Sequence, residues 1–251
     1  MGVAWLRIAS AGAVFAIWRR PWRYVNATIV VLGLVLAAMN VCFYLAIERL
    51  PLGTVGAIEF FGPIALAAAG ARTRRNLVAL ALATAGVYTL SHVKFTGDPL
   101  AYAFAFANCA LFVAYVVLGH RIAARDGVDR LGAAMLVAMV VALPLGIRDA
   151  MPAFRSPTLL AAALGVGISS SVIPYVCDQL AMARLPRSTF ALLLALLPAT
   201  ATVVGLLVLR QVPTHQDLRG VAWIIAGVAL HRSPPRQEEK ACTTHELEHP
   251  A

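Results

Sequence analysis

The feature that most constrains this chain is a long-range internal repeat. Residues 45–70 recur at residues 180–205, displaced by 135 positions. Both copies contain Arg-Leu-Pro, at residues 49–51 and 184–186, and both have a further proline twelve positions later, Pro63 and Pro198. Between residues 31–70 and 166–205, 11 of 40 ungapped positions are identical. Self-similarity at a fixed period predicts that the chain is built from two related halves.

The composition indicates the solvent in which these halves fold. The chain is 60% hydrophobic and 13% charged, with a mean hydropathy of +0.78, whereas soluble domains carry about 25% charged residues. The net charge of +9 could suggest nucleic acid, but the basic residues lie in short clusters between apolar runs. This pattern favours loops that face anionic lipid, so we expect no nucleic-acid partner.

The apolar runs predict an all-α polytopic membrane protein with about nine transmembrane helices. The runs cover residues 3–18, 26–47, 53–70, 77–93, 99–119, 131–147, 158–181, 187–209 and 217–231. Several are shorter than the ~20 residues that span a bilayer most easily, so we expect tilt and local thinning. Near their ends lie tryptophans that we interpret as membrane-interface anchors, namely Trp5, Trp18, Trp22 and Trp223.

The basic residues predict the orientation of these helices. One set of loops and the tail carries 14 of the 21 lysines and arginines, the opposite set carries 6, and Arg7 lies within the first run. The positive-inside rule therefore predicts a cytoplasmic C-terminus and an external N-terminus. Helices 26–47 and 158–181 then cross in opposite directions, which makes the repeat inverted, as in many secondary transporters.

The repeat also predicts how the chain is divided. Helices 77–93 and 217–231 correspond through Ala-Gly-Val at residues 85–87 and 226–228, and helix 131–147 corresponds to helix 3–18. Helix 99–119 has no counterpart, so we expect a five-plus-five design without its first helix. The expected parts are a first repeat over 1–95, a second over 96–231 and a disordered cytosolic tail over 232–251.

Short motifs in both halves connect the chain to a known family. The first half contains MNVCFYLAI (39–47), PLG (51–53) and IEFFGP (58–63). The second contains IPY (173–175), Asp178, LP (185–186), TF (189–190) and LPA (197–199). In order and spacing these motifs resemble the EamA branch of the drug/metabolite transporter superfamily. The resemblance covers nearly the whole chain apart from the tail, although Leu197 stands where the family usually has an acidic residue.

The resemblance implies both a fold and a function. It implies ten helices in two inverted EamA repeats, a central cavity, and proton-exchange export of small metabolites across a bacterial inner membrane. The expected partners are a small-molecule substrate, protons and the lipid bilayer, and a homodimer is a further hypothesis. Neither a cofactor nor a metal is expected.

Glu59 is the strongest single candidate for a functional residue. It lies in the middle of an otherwise apolar run, four residues before Pro63. A charged side chain at this depth costs about 2.5–3.5 kcal/mol on insertion scales, so it should face a cavity or a partner. We predict that Glu59 binds either a proton or the ammonium group of the substrate, and so exchanges one for the other. The alternative is a protonated glutamate that forms a hydrogen bond within the bundle.

Two further charged residues are expected within the membrane. Asp178 matches an acidic family position, but it could also be an interfacial aspartate that pairs with Arg184. Arg7 matches an arginine of the family. It could bind the carboxylate of a substrate, act as the counter-charge of Glu59, or form a structural pair between helices.

Polar side chains complete the expected site. Asn40 and Tyr44 are four residues apart and share a helix face, so they could meet the ammonium and carboxylate of an amino acid such as threonine or homoserine. An interhelical hydrogen bond is the alternative for Asn40. Tyr175 and the nearby serines 169–171 could likewise either bind the substrate or only form contacts between helices. Asn108, Tyr102 and Tyr115 on the unpaired helix have less weight.

Other functions remain as alternatives. An intramembrane enzyme would need a catalytic pair or a metal cluster at membrane depth, and neither H-E-x-x-H nor G-x-S-x-G occurs in the sequence. We therefore do not expect an enzyme. A carrier of another metabolite or of a lipid-linked substrate would have the same fold. An inactive or accessory truncated paralogue is the third alternative.

Overall fold

The computed structural model describes residues 1–50, 52–71, 73–91, 98–210 and 214–232. Within these ranges all regular structure is helical, as the sequence predicts. The helices are α1 (Gly2–Arg19), α2 (Ala27–Ile47), α3 (Leu52–Gly70), α4 (Arg74–Ser91), α5 (Pro99–Ala123), α6 (Gly127–Phe154), α7 (Pro157–Gly167), α8 (Ile173–Arg184), α9 (Arg187–Leu193), α10 (Leu196–Leu209) and α11 (His215–Leu230). Of the expected tail at 232–251, residues 233–251 lie outside the described residues.

Polar residues determine where two of the apolar helices, α2 and α5, begin. Asn26 precedes α2, and its Oδ1 accepts a hydrogen bond from the N–H of Ile29 at 3.0 Å. Asp98 precedes α5, and its Oδ1 accepts from the N–H of Leu100 at 2.9 Å, while Pro99 occupies the first helical position. Such N-caps satisfy amide groups that have no partner within the helix, so the two helices begin where the apolar runs begin.

The helices pack in a pattern that follows the repeat. Helix α1 lies against α6, α4 against α11, and α2 against both α5 and α6, while α3 contacts α5 and α9. The main core is apolar and includes Phe15, Leu32, Leu36, Tyr115 and Leu131. The helices that carry the polar intramembrane residues, α1, α2, α3, α5 and α8, therefore surround the middle of the bundle.

Two glycines allow α4 and α11 to approach closely. A methyl group added at Gly86 would lie 2.5 Å from Cγ1 of Ile224, and one added at Gly227 would lie 2.6 Å from the carbonyl oxygen of Ala79. These are the glycines that the sequence aligns between the two halves. Each faces the partner helix, so neither position has room for a side chain.

The second half is interrupted where two continuous helices were expected. The predicted helix 158–181 contains a π-helical turn at Ile168–Val172, and the predicted helix 187–209 is divided at Leu194 and Ala195. The hydroxyl groups of Ser169 and Ser170 donate to backbone carbonyls of α7 at 2.8 and 2.6 Å, respectively. Such bonds compete with the helical pattern, which helps to explain the π turn. The corresponding first-half helices, α2 and α3, run without interruption.

The described helices have the properties of membrane spans. Four segments are long and apolar enough to cross a bilayer, namely Ala27–Ile47, Pro99–Ala123, Gly127–Phe154 and Pro157–Arg184. Two shorter apolar helices cover Thr54–Gly70 and Leu218–Leu230. The exact number of crossings stays a prediction.

One expected interface anchor is a core residue. Trp5 is 7% exposed, and its indole N–H donates to the carbonyl of Met139 on α6 at 3.1 Å. Its interpretation as an anchor was therefore wrong, because position near the end of a run does not determine which face of the helix a residue occupies. Trp18, Trp22 and Trp223 are exposed.

Candidate functional site

A cavity of about 380 Å³ lies between helices of both halves. Its lining residues come from α1, α2, α3, α5, the π turn, α8 and the α9–α10 region. They are Arg7, Met39, Asn40, Phe43, Glu59, Asn108, Phe112, Ser170, Pro174, Tyr175, Asp178, Leu194 and Leu197. One arginine and two carboxyl groups thus share a space that is otherwise bordered by aromatic, amide and aliphatic side chains.

Arg7 forms the α1 side of the cavity and is held by α2. Its guanidinium donates to Oδ1 of Asn40, and the Nδ2 of Asn40 donates to the carbonyl of Leu36 at 3.3 Å. The central guanidinium carbon also lies 5.5 Å from the ring centroid of Tyr44, within the range of a cation–π contact. Its Nε is buried and has no hydrogen-bond partner among the described residues. Arg7 is therefore held on its α2 side, and its Nε–H is available to donate a further hydrogen bond.

Glu59 enters the cavity from α3 and is close to Asn108 on α5. Close packing of the two helices brings these residues together, since a methyl group at Gly62 would lie 2.6 Å from Cγ2 of Val113. Asn108 is fully buried, and within the described ranges neither its Oδ1 nor its Nδ2 completes a hydrogen bond. A buried amide without a well-formed hydrogen bond carries a desolvation cost, which a polar group in the cavity can offset.

Asp178 is connected to α5 through a buried phenol. The hydroxyl of Tyr115 donates to Oδ2 of Asp178 at 3.1 Å, and Tyr115 itself is completely buried. The ring of Tyr175 meets that of Tyr115 edge-on, with centroids 5.3 Å apart and an interplanar angle of 85°. One oxygen of the Asp178 carboxyl therefore already accepts a hydrogen bond from within the protein.

Two prolines remove helical hydrogen bonds next to the cavity. Pro63 comes four residues after Glu59, and Pro174 comes four residues after Ser170. Because proline has no N–H, the carbonyls of Glu59 and Ser170 cannot receive the usual bond from the residue four positions later. Both lining residues therefore sit where the backbone itself can offer an acceptor.

The structure brings together five of the six residues that the sequence singled out. Arg7, Asn40, Glu59, Tyr175 and Asp178 all line the cavity. The sixth, Tyr44, is not among the lining residues and contacts the site through the guanidinium of Arg7.

Three contributions to the site were underweighted or missed. Asn108 lines the cavity and Tyr115 supports Asp178, although both residues had little weight in the prediction. Phe112, between them, was not considered. The signal was available, because residues 108, 112 and 115 follow the i, i+4, i+7 spacing of one helix face.

The described residues contain no group of three or more His, Cys, Asp or Glu side chains arranged to hold a metal ion. The site instead offers one guanidinium, two carboxyl groups, two amides and a phenol. This set can bind a small molecule that carries charges of both signs.

A bundle of apolar helices with charged residues directed into a central cavity defines a multi-pass membrane transporter. Residues 99–232 match the EamA-like transporter family. The chain belongs to this family, and the resemblance seen in the sequence is confirmed. EamA transporters are not enzymes, in line with the expectation from the sequence.

Similar proteins extend the comparison to nearly the whole chain. The threonine/homoserine exporter RhtA of Salmonella typhimurium (strain SL1344) is 32% identical over 237 residues, which cover 90% of this chain and 79% of that exporter. RhtA of Escherichia coli (strain K12) is 32% identical over 251 residues, covering 95% and 84%. A solved crystal structure superposes with a TM-score of 0.75 at 18% identity, over 91% of this chain and 85% of that one, and so supports the fold alone.

The similarity to these relatives, together with the apolar helices, identifies the chain as an EamA-family exporter of a bacterial inner membrane. Its partners are a small-molecule substrate and the lipid bilayer.

Proposed function

We propose that the protein exports small zwitterionic amino acids, such as threonine or homoserine, in exchange for protons. The observation that carries the proposal is the cavity in which Arg7 and Glu59 of the first half face Asp178 of the second half. The similarity to threonine/homoserine exporters supports the choice of substrates.

The chemistry of the lining residues matches such a substrate. A guanidinium presents paired donors to a carboxylate, so Arg7 binds the carboxylate end. Glu59 accepts hydrogen bonds from the ammonium group. Asn108, whose amide is buried without partners among the described residues, is available to the side-chain hydroxyl that threonine and homoserine share.

Glu59 is better suited than Asp178 to couple outward movement of the amino acid to inward movement of protons. Asp178 already accepts a hydrogen bond from Tyr115 at 3.1 Å, which holds its carboxyl in place. Glu59 can take up a proton from outside and an ammonium from inside, but not both at once. This competition links outward movement of the amino acid to inward movement of the proton.

The transport cycle uses alternating access between the two repeats, at 1–95 and 96–231, with a cytoplasmic C-terminus. The packing of α4 against α11 and of α1 against α6 supports this division, because each pair joins helices that correspond in the repeat. Bistable contacts between inverted repeats are a common basis for such a cycle. The homodimer remains a hypothesis.

The test uses Glu59→Gln in proteoliposomes loaded with radiolabelled L-threonine. With an inward proton gradient, export should fall by about tenfold or more, because the amide cannot carry the proton. The gradient should also no longer stimulate the export that remains. Glu48→Gln is the matched control, since Glu48 is an exposed carboxylate at the end of α2 and should leave export unchanged. Normal, gradient-stimulated export by Glu59→Gln would contradict the coupling role.

A further inference from the structure

A second cavity, of about 310 Å³, lies between α1, α6 and α7, outside the central site. Its walls are mostly aliphatic and include Val3, Leu6, Leu159 and Val166. Two charged side chains interrupt this apolar surface, Arg7 and Asp149. The central cavity and this second cavity therefore share one lining residue, Arg7.

Arg7 forms a partition between the two spaces. On the central side its guanidinium is held by Asn40 and faces the ring of Tyr44. Its Nε is buried with no hydrogen-bond partner in the described part of the chain. A long side chain fixed by one amide and one ring can change rotamer without unfolding its helix, and its charged end can move with a bound carboxylate.

The second cavity lies near one end of the bundle. It is bordered by the start of α1, the end of α6 and the start of α7, which lie together. Val3 is 63% exposed, and the side chain of Asp149 is 61% exposed. The positive-inside pattern predicts that this end faces outwards. Arg7, five residues into α1, lies deeper than the mouth of the cavity.

We propose that the second cavity is the outer vestibule of the transport pathway and that Arg7 is the gate between it and the central site. The proposal rests on the function proposed above. The substrate carboxylate stays on the guanidinium while the Arg7 side chain moves from the Asn40 side towards the vestibule. Asp149, whose carboxylate lies 3.4 Å from the N-terminal amine of Met1, borders the mouth, and the aliphatic walls accommodate the short side chain of the amino acid.

The first experiment fills the vestibule without touching the central site. Ala162 on α7 lines the second cavity, whereas its exposed neighbour Ala161 does not. Ala162→Trp should lower export of L-threonine by about tenfold, with its equilibrium binding changed by less than about twofold. Ala161→Trp, which adds the same bulk one residue away, should export normally.

A second measurement does not depend on folding around a tryptophan. The four cysteines of the chain are replaced, and Ala162→Cys is introduced into that background after its export has been confirmed. A membrane-impermeant methanethiosulfonate reagent added to the outer face should block export, and a reductant should restore it. Ala161→Cys, treated in the same way, should remain active.

The outcomes separate the two proposals. If the unmodified chain neither binds nor exports L-threonine, the proposed function fails and the pathway fails with it. If the unmodified chain exports L-threonine, and both Ala162→Trp and labelled Ala162→Cys export normally, the vestibule alone is overturned. The second cavity would then be a lipid-facing crevice.

Discussion

The phenol of Tyr115 donates a hydrogen bond to Oδ2 of Asp178 at 3.1 Å, which joins the buried face of α5 to a carboxyl group of the cavity. Tyr115 is completely buried, so its hydroxyl donates this bond from within the core of the bundle. When a partly buried carboxyl loses a hydrogen-bond donor, the free-energy cost of removing it from water is no longer offset. The bond therefore contributes to both the stability of the bundle and the geometry of the site.

Tyr115→Phe tests this contribution. The variant should lower the free energy of unfolding by about 1–3 kcal/mol, because the Asp178 carboxyl loses a buried donor. Thermal unfolding of the purified protein in detergent measures the change. Tyr102→Phe on the same helix is the control, since its hydroxyl is buried without a hydrogen-bond partner among the described residues and its removal should cost little. Equal effects of both variants would show that the bond to Asp178 is not stabilising.

Asn40→Ala should weaken substrate binding rather than turnover. Without the amide oxygen the guanidinium of Arg7 loses its partner on α2, so its position for a substrate carboxylate is less well defined. We expect KM for L-threonine to rise about tenfold, with kcat within about twofold of the original value. Initial rates of export over a range of loaded L-threonine concentrations give both constants.

Asn76→Ala provides the matched control. Asn76 is also a buried asparagine, but its amide forms two 3.0 Å bonds with the backbone of Arg232. Its replacement should lower stability and leave KM unchanged. A similar KM increase in both variants would mean that Asn40 acts through general packing.

Gly86→Ala should destabilise the contact between α4 and α11. The added methyl would lie 2.5 Å from Cγ1 of Ile224 and 2.6 Å from the carbonyl oxygen of Gly220, so the helices must move apart. Overpacking of this kind costs about 1–3 kcal/mol and should appear as a lower Tm. Gly165→Ala is the control, because a methyl there meets nothing within 4 Å. An unchanged Tm for Gly86→Ala would contradict the close approach.

Lowering the pH should reduce the stability of the folded protein through protonation of His231. Burial lowers the pKa of His231 from its ordinary value of 6.5, and its Nε2 lies 3.2 Å from Oγ1 of Thr189. The unfolded chain therefore binds a proton at a higher pH than the folded chain does. Stability should be constant above pH 6.5 and should fall as the pH drops from that value towards the lower, folded-state pKa.

The measurement is Tm as a function of pH for the original chain and for His231→Gln, which stays neutral throughout. The difference between the two proteins should shrink or reverse below pH 6.5, the ordinary value for this side chain. Parallel profiles would show that His231 is not responsible for the pH dependence.

Apolar patterning and rare charges made much of the fold and the cavity predictable. A glutamate or an arginine in an apolar run has few tolerable locations, so Glu59 and Arg7 had to face either the bundle interior or each other. Gly86 and Gly227 were informative for a related reason, because a residue without a side chain in an apolar helix commonly marks a close helix contact. Such constraints act locally and can be read from the sequence.

The remaining features depend on tertiary contacts. The face occupied by Trp5 depends on the rotation of α1 against α6, which no residue near the helix end specifies. Asn108 carries no charge, so its burial between α3 and α5 follows from their approach at Gly62 rather than from membrane energetics. The π turn before Pro174 likewise depends on serine hydroxyls that could equally have faced another helix.

The interruptions of the second half give the two copies of the repeat different mechanical properties. Helix α2 is uninterrupted, and α3 remains a single α-helix through Pro63, so neither contains a change of helix type. The corresponding second-half helices are each interrupted, one at Ile168–Val172 and the other at Leu194 and Ala195. Helices bend most easily where their regular hydrogen-bond pattern is interrupted. The two copies of the repeat therefore differ in where they can bend. Substitutions that remove the π turn or the break at Leu194 and Ala195 should slow the transport cycle.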